Sequence, residues 1–209
     1  MIKQLFLYAV QILVHPIDCC YFVKKERDQL PYIYGLMCLI LAAVCRVFSV
    51  YGTSYPLNQN LPEESSLLIL LGTLLLPGIS WIVGAYSTTT LLNGESSFRE
   101  LFTLGCLCYV PYIVITPFQI VLSHVMSGKS AILYGTIGAA AVVWVIILEF
   151  LCFMRANDYP FGKAAGVALV SLIVVLLIWA FILLSLVFIY QVIIFIKEVI
   201  LEIRSQMIA

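Results

Sequence analysis

Two ionisable side chains, Arg46 and Glu149, stand inside otherwise apolar stretches. An acid and a base in such surroundings are the raw material of an intramembrane ion pair or proton relay. Depth argues against a direct pair. Arg46 lies near the far end of its segment and Glu149 five residues before the opposite end of another, so at 1.5 Å per residue they differ by roughly 15 Å in height. A Glu149 link to Arg155, or a protonated Glu149 hydrogen-bonded to a neighbouring helix, fits the spacing better.

The remaining chemistry-bearing residues nominate no reaction. His15 and His124 sit at segment ends without a second His or Cys at metal-ligand spacing, which speaks against a metal site. Ser80 lacks a His or Asp placed to activate it. The chain has no G-x-S-x-G, H-E-x-x-H or phosphate-cradling glycine loop. The seven cysteines are odd in number, lie mostly in apolar runs and form no C-x-x-C pair, so they read as small buried hydrophobes. No catalytic residue, metal or cofactor is expected, and the chain reads as a non-enzyme.

The elements that carry these residues follow from composition. Residues of the AVILMFWYC set make up 63% of the chain and charged residues 11%, with a mean hydropathy of +1.10. No ordinary soluble domain reaches such values. The fold class expected is all-α, a polytopic membrane bundle of five transmembrane helices with interfacial helices at both termini. With 11 basic and 11 acidic side chains there is no cationic face for nucleic acid.

The stretch 91–117 states the architecture. Asn93-Gly94 is the pair expected just past a helix C-terminus, where a residue must enter the left-handed region and Gly does so without a Cβ penalty. Three residues later, Ser97-Phe98-Arg99-Glu100 fits a capping box that opens the next helix. Two helices joined this closely run antiparallel.

Along the chain, residues 1–30 read as a cytoplasmic interfacial helix (2–14) ending before Pro16, then a basic connector with Lys24, Lys25 and Arg27. Residues 31–195 form the five-span domain and 196–209 an amphipathic tail. Span one, 31–51, opens on Pro31 and holds Arg46. A mid-membrane charge costs about 2.5–3.5 kcal/mol, against roughly 3–5 returned by its aliphatic and aromatic residues, and a snorkelling Arg46 keeps insertion favourable. The loop 52–66, with Pro56, Pro62, Glu63 and Glu64 but no Lys or Arg, reads as exterior. Span two, 67–92, carries Pro77, and span three, 98–124, carries Pro111 and Pro117, all expected to kink their helices. Ser87 to Thr90 are expected to bond back to their own helix, or else to line a polar cavity. Span four, 131–154, offers Gly135, and the next turn Gly162 and Gly166, as close-packing positions. Span five, 164–195, exceeds a bilayer and must tilt or protrude.

Lys3, Lys24, Lys25, Arg27, Arg99, Arg155 and Lys163 fall on one side, against Lys129, Lys197 and Arg204 on the other. This predicts a cytoplasmic N-terminus and an external C-terminus.

Three stretches carry a family resemblance: His15-Pro16 with the polar connector after it, the turn 92–98 leading to Tyr109-Val110-Pro111, and the turn 159–164 entering the last span. In these, the chain resembles the Ypt-interacting protein (Yip-domain) membrane family over residues 12–195. The resemblance implies a five-span bundle with a cytoplasmic N-terminus. Eukaryotic relatives are associated with Rab-type GTPases and vesicle traffic through a longer N-terminal region. The 30 residues ahead of span one resemble instead the shorter prokaryotic branch, which implies the bacterial cytoplasmic membrane.

The expected function is that of a membrane scaffold or accessory protein. It would have the bilayer and a protein at its cytoplasmic face as partners, contacted through Lys24, Lys25, Arg27, Arg99, Arg155 and Lys163, and self-association would be compatible with it. The alternative is a small transporter or transport subunit, with a path between kinked spans two and three and Glu149 beside it.

Overall fold

The computed structural model describes residues 2–25, 32–55, 57–58 and 66–208. Arg27, Pro31, Pro56, Pro62, Glu63 and Glu64 lie outside the described residues, as do the side chains of Lys3 and Arg204. Eight α-helices are described: α1 (Ile2–Val14), α2 (Pro16–Lys25), α3 (Ile33–Gly52), α4 (Leu67–Leu91), α5 (Phe98–Leu107), α6 (Val110–Val125), α7 (Ala131–Ala156) and α8 (Phe161–Ile208). A short 3₁₀ turn, Gly128–Ser130, leads into α7. Five segments are long and apolar enough to cross a bilayer: α3, α4, α5 with α6, the 3₁₀ turn with α7, and Phe161–Ile200 of α8. The protein is an all-α, multi-pass membrane bundle.

The core lies toward the end that carries the turns before α5 and before α8, called here the basic end. Ile12, Cys19, Cys20 and Val23 from α1 and α2 meet Leu104 and Leu107 of α5, Cys152 and Phe153 of α7, and Ala164 and Val167 of α8. The stretch after Val14, expected as a connector, is therefore partly helical. Pro16 needs no donor at a helix start, and Cys19, Cys20 and Val23 form a buried face on one side of α2. The opposite side of α1, with Phe6, Val10 and Val14, stays exposed, as lipid contact requires.

Close helix approach uses glycines other than those the sequence suggested. A Cβ on Gly35 would lie 3.2 Å from the Thr103 Cα, on Gly84 2.7 Å from Val175, and on Gly105 2.9 Å from Ile82. On Gly78 it would collide with the Tyr109 hydroxyl. By contrast Gly135, Gly162 and Gly166 have nothing within 4 Å of an added Cβ, so they face away from the helix contacts.

The prolines divide by position. Pro77 and Pro117 sit inside α4 and α6, whereas Pro111 is in the first turn of α6. Span three is interrupted at Cys108 and Tyr109, ahead of Pro111, where a missing N–H costs no intrahelical bond. Pro111 thus starts a helix instead of kinking one.

The segment 196–209 is not set off as a separate element: α8 continues to Ile208 without a break. At 1.5 Å per residue its 48 residues measure about 72 Å, against roughly 30 Å of hydrocarbon core. It is anchored along α4 by Thr88 with Ser171, by Gly84 beneath Val175, and by the Trp179 indole N–H donating to Ser80 Oγ at 3.0 Å.

Candidate functional site

At the basic end, three separate turns are locked together. Asn93 takes the left-handed conformation at φ 55°, and the Gly94 N–H donates back to the Thr89 carbonyl at 2.8 Å, the six-residue bond of a Schellman cap. Gly94 is needed for space, not for φ: a Cβ there would stand 2.5 Å from Asn157 Oδ1, 2.7 Å from Thr89 Cβ and 2.8 Å from the Tyr159 hydroxyl. Two residues on, Ser96 Oγ donates to Asn157 Oδ1 at 2.7 Å, while the Tyr159 hydroxyl donates to the Leu92 carbonyl at 3.2 Å. Burial raises the Tyr159 phenol above its ordinary range. The capping box is complete. Ser97 N–H and Oγ–H both donate to Glu100 Oε2, at 2.6 and 2.9 Å, and Glu100 N–H donates to Ser97 Oγ at 3.3 Å.

Lys24 of α2 reaches across this platform. Its ammonium pairs with Glu95 at 3.1 Å and with Asp158. Partial burial pulls the Lys24 pKa down, but the hydrogen bonds and charges of Asp158 and Glu95 outweigh that and leave it raised. One cation therefore ties α2 to the turns before α5 and before α8.

The expected basic contact set divides accordingly. Lys24 is committed to the two acids, Arg99 lies over the Tyr32 ring at 4.7 Å and Lys163 over the Tyr159 ring at 4.1 Å. Lys25 and Arg155 are exposed and make no ion pair among the described residues.

Arg46 and Glu149 do not meet. Glu149 borders a void of about 10 Å³ between α4, α5 and α7, beside Trp81, Ile82, Gly105 and Cys152. Its polar neighbour there is Trp81 of α4, and no Glu149–Arg155 pair forms among the described residues. Tyr109 against Gly78 and Ile82 against Gly105 are close contacts between spans two and three.

Arg46 instead borders a cavity of about 330 Å³ at the far end, walled by α3, α6 and α7. Tyr112, Thr116 and Gln119 supply one wall and Tyr134, Gly135 and Gly138 another. The four- and three-residue spacing of Tyr112, Thr116 and Gln119 marks one polar face of α6 in the sequence itself, a weaker signal than the prolines of span three.

The other candidates are structural. Ser80 donates to the Pro77 carbonyl at 3.0 Å and accepts from Trp179. Ser87, Thr88, Thr89 and Thr90 bond back to carbonyls of their own helix. Cys20 and Cys152 sulfurs lie 2.9 Å apart across α2 and α7, all seven cysteines are free and buried, and no metal-competent group occurs among the described residues. Outside the spans, burial pushes the Cys19 thiol up to about 12.

A family model, the Yip1 domain, matches residues 10–198. No curated protein and no solved structure matches the chain.

Proposed function

This chain belongs to the Yip1 domain family, and on that footing we propose that it is a non-enzymatic scaffold or accessory protein that presents its basic end to a partner protein. The observation that supports this is the Lys24 bridge to Glu95 and Asp158. It holds three chain segments as one surface, on which Lys25 and Arg155 remain exposed. A docking surface works best when it is ordered before the partner arrives, because little entropy is then lost on binding. The excess of Lys and Arg at this end supports a cytoplasmic orientation, and the proposed setting is a bacterial cytoplasmic membrane.

The test is affinity purification after mild detergent extraction. The wild type is compared with a Lys25→Glu/Arg155→Glu double variant and with Lys129→Gln as a far-end control. The expected result is a defined co-purifying protein, lost from the double variant and kept by the control. Recovery of the wild-type protein alone, or an unchanged partner in the double variant, overturns the reading.

A further inference from the structure

We propose that the Arg46 cavity is a binding site for a singly charged phosphodiester, the headgroup chemistry of an anionic phospholipid. The frame of the cavity is internally satisfied. Thr53 Oγ1 donates to the Ser49 carbonyl at 2.5 Å and bonds the Tyr134 hydroxyl at 3.1 Å, while Gln119 Nε2 donates to the Tyr134 carbonyl at 3.1 Å. These bonds fix α3, α6 and α7 around the space without using up what faces into it.

Three donor groups are left over. The Arg46 guanidinium and the hydroxyls of Tyr112 and Thr116 line the cavity and make no hydrogen bond or ion pair among the described residues. Thr116 is only 3% exposed, and a ligand in the cavity would give its hydroxyl an acceptor. Tyr112 and Thr116 are four apart on α6, so they project from one face toward the same space.

The charge of the lining sets the charge of the ligand. Among the described residues Arg46 is the single cation of the lining and no carboxylate borders the cavity, so the complement is a monoanion. A guanidinium presents a planar fork that fits two charged oxygens side by side, as on a phosphodiester or a carboxylate. The phosphodiester is favoured because its ester oxygens and headgroup hydroxyls spread acceptors over a wider span for Tyr112 and Thr116 than the two geminal oxygens of a carboxylate. The volume of about 330 Å³ falls within the roughly 300–1,000 Å³ usual for small-ligand sites.

Placement agrees. Arg46 is six residues before the end of α3, about 9 Å below it at 1.5 Å per residue, a depth that a headgroup in the adjoining leaflet can reach. Gly135 keeps the α7 wall bare, and a Cβ added there meets nothing within 4 Å. A bulky residue at 135 therefore starts from open space and is expected to project into the cavity that Gly135 lines.

The experiment is native mass spectrometry of the full chain in detergent. Palmitoyl-oleoyl phosphatidylglycerol, palmitoyl-oleoyl phosphatidylcholine and water-soluble glycerophosphoglycerol are added in separate arms. The wild type is expected to retain phosphatidylglycerol at least tenfold better than phosphatidylcholine. Arg46→Gln and Gly135→Phe should each lose that preference, while Arg46→Lys keeps part of it. Retention of glycerophosphoglycerol as well as the lipid identifies the free headgroup as sufficient, and retention of the lipid alone shows that the chains are needed. Both outcomes uphold phosphodiester recognition. Equal retention of phosphatidylglycerol by wild type, Arg46→Gln and Gly135→Phe overturns the proposal, as does no retention of any phosphodiester by the wild type. If Arg46→Gln fails to fold, the Gly135→Phe result decides.

Discussion

The amide oxygen of Asn157 lies 2.5 Å from where the first side-chain carbon of any residue at position 94 would stand. The turn between α4 and α5 is thus closed against the turn between α7 and α8, with Gly94 as the clearance. Gly94→Ala is expected to cost about 1–3 kcal/mol through overpacking. Asn93, which carries the positive φ of 55°, behaves in the opposite way. Asn93→Gly should be neutral or stabilising by up to about 1 kcal/mol, because glycine meets no Cβ penalty there. Thermal unfolding of both variants in one detergent checks the ordering, and a reversed order places the strain at the wrong residue.

The capping box predicts a second pair of effects. Ser97→Ala removes the acceptor for the Glu100 N–H and should lower stability by about 0.5–2 kcal/mol. Glu100→Ala deprives both Ser97 donors of their shared oxygen and leaves a hole at a site only 1% exposed, so it should cost more. Glu100→Gln keeps an acceptor and should fall between wild type and Glu100→Ala. Equal melting temperatures for all four proteins would remove the cap from the account.

The Lys24 bridge predicts a dependence on pH and salt. Its folded-state pKa is raised above the ordinary 10.5 by Asp158 and Glu95, whose pull exceeds the opposing effect of burial. The stabilisation from this shift is fully present below the unfolded-state pKa and is lost as pH rises through the folded-state value. Through neutral pH the Lys24 term is flat. Both acids are more than half exposed, so each pair is worth only about 0–1 kcal/mol and is screened by salt. The melting-temperature gap between wild type and Lys24→Ala, measured at pH 7 and pH 11 and in low and high salt, should shrink at the higher pH and the higher salt. A gap unchanged in both comparisons would assign the loss to packing of the lysine stem.

What was legible in the sequence was what short-range chemistry dictates. The capping box and the Asn93-Gly94 stop need only neighbours within a few residues, and the five spans need only apolar length, so both could be read directly. That Asn93 takes the positive φ in place of the expected Gly94 could not be read, because the space at Gly94 is set by Asn157 and Tyr159 arriving from another turn. The helix α2 was masked by its polar residues: the buried face of Cys19, Cys20 and Val23 is too short a pattern to stand out beside Asp18, Lys24 and Lys25. Glycine spacing misled for a related reason. Gly84 and Gly135 look alike in sequence, and only the packed helices show that the first faces Val175 and the second an empty cavity.

The seam between α4 and α8 supplies the last prediction. Ser80, Gly84 and Thr88 recur every four residues on α4, as Ser171, Val175 and Trp179 do on α8, and the pairs match in antiparallel register. The Gly84 position decides how near the two helices can come, because a Cβ there would stand 2.7 Å from Val175 and 3.2 Å from the Ser171 carbonyl. A Gly84→Leu change must therefore separate the helices and stretch both flanking hydrogen bonds at once. In a Thr88→Cys/Ser171→Cys background, oxidative cross-linking should be efficient with glycine at 84 and fall severalfold with leucine. The buried native thiols report on the rest of the bundle: their protection from maleimide should persist in Gly84→Leu if only α8 has moved. Efficient cross-linking despite leucine at 84 would show that α8 is held elsewhere along its length, and that the seam seen here is not its anchor.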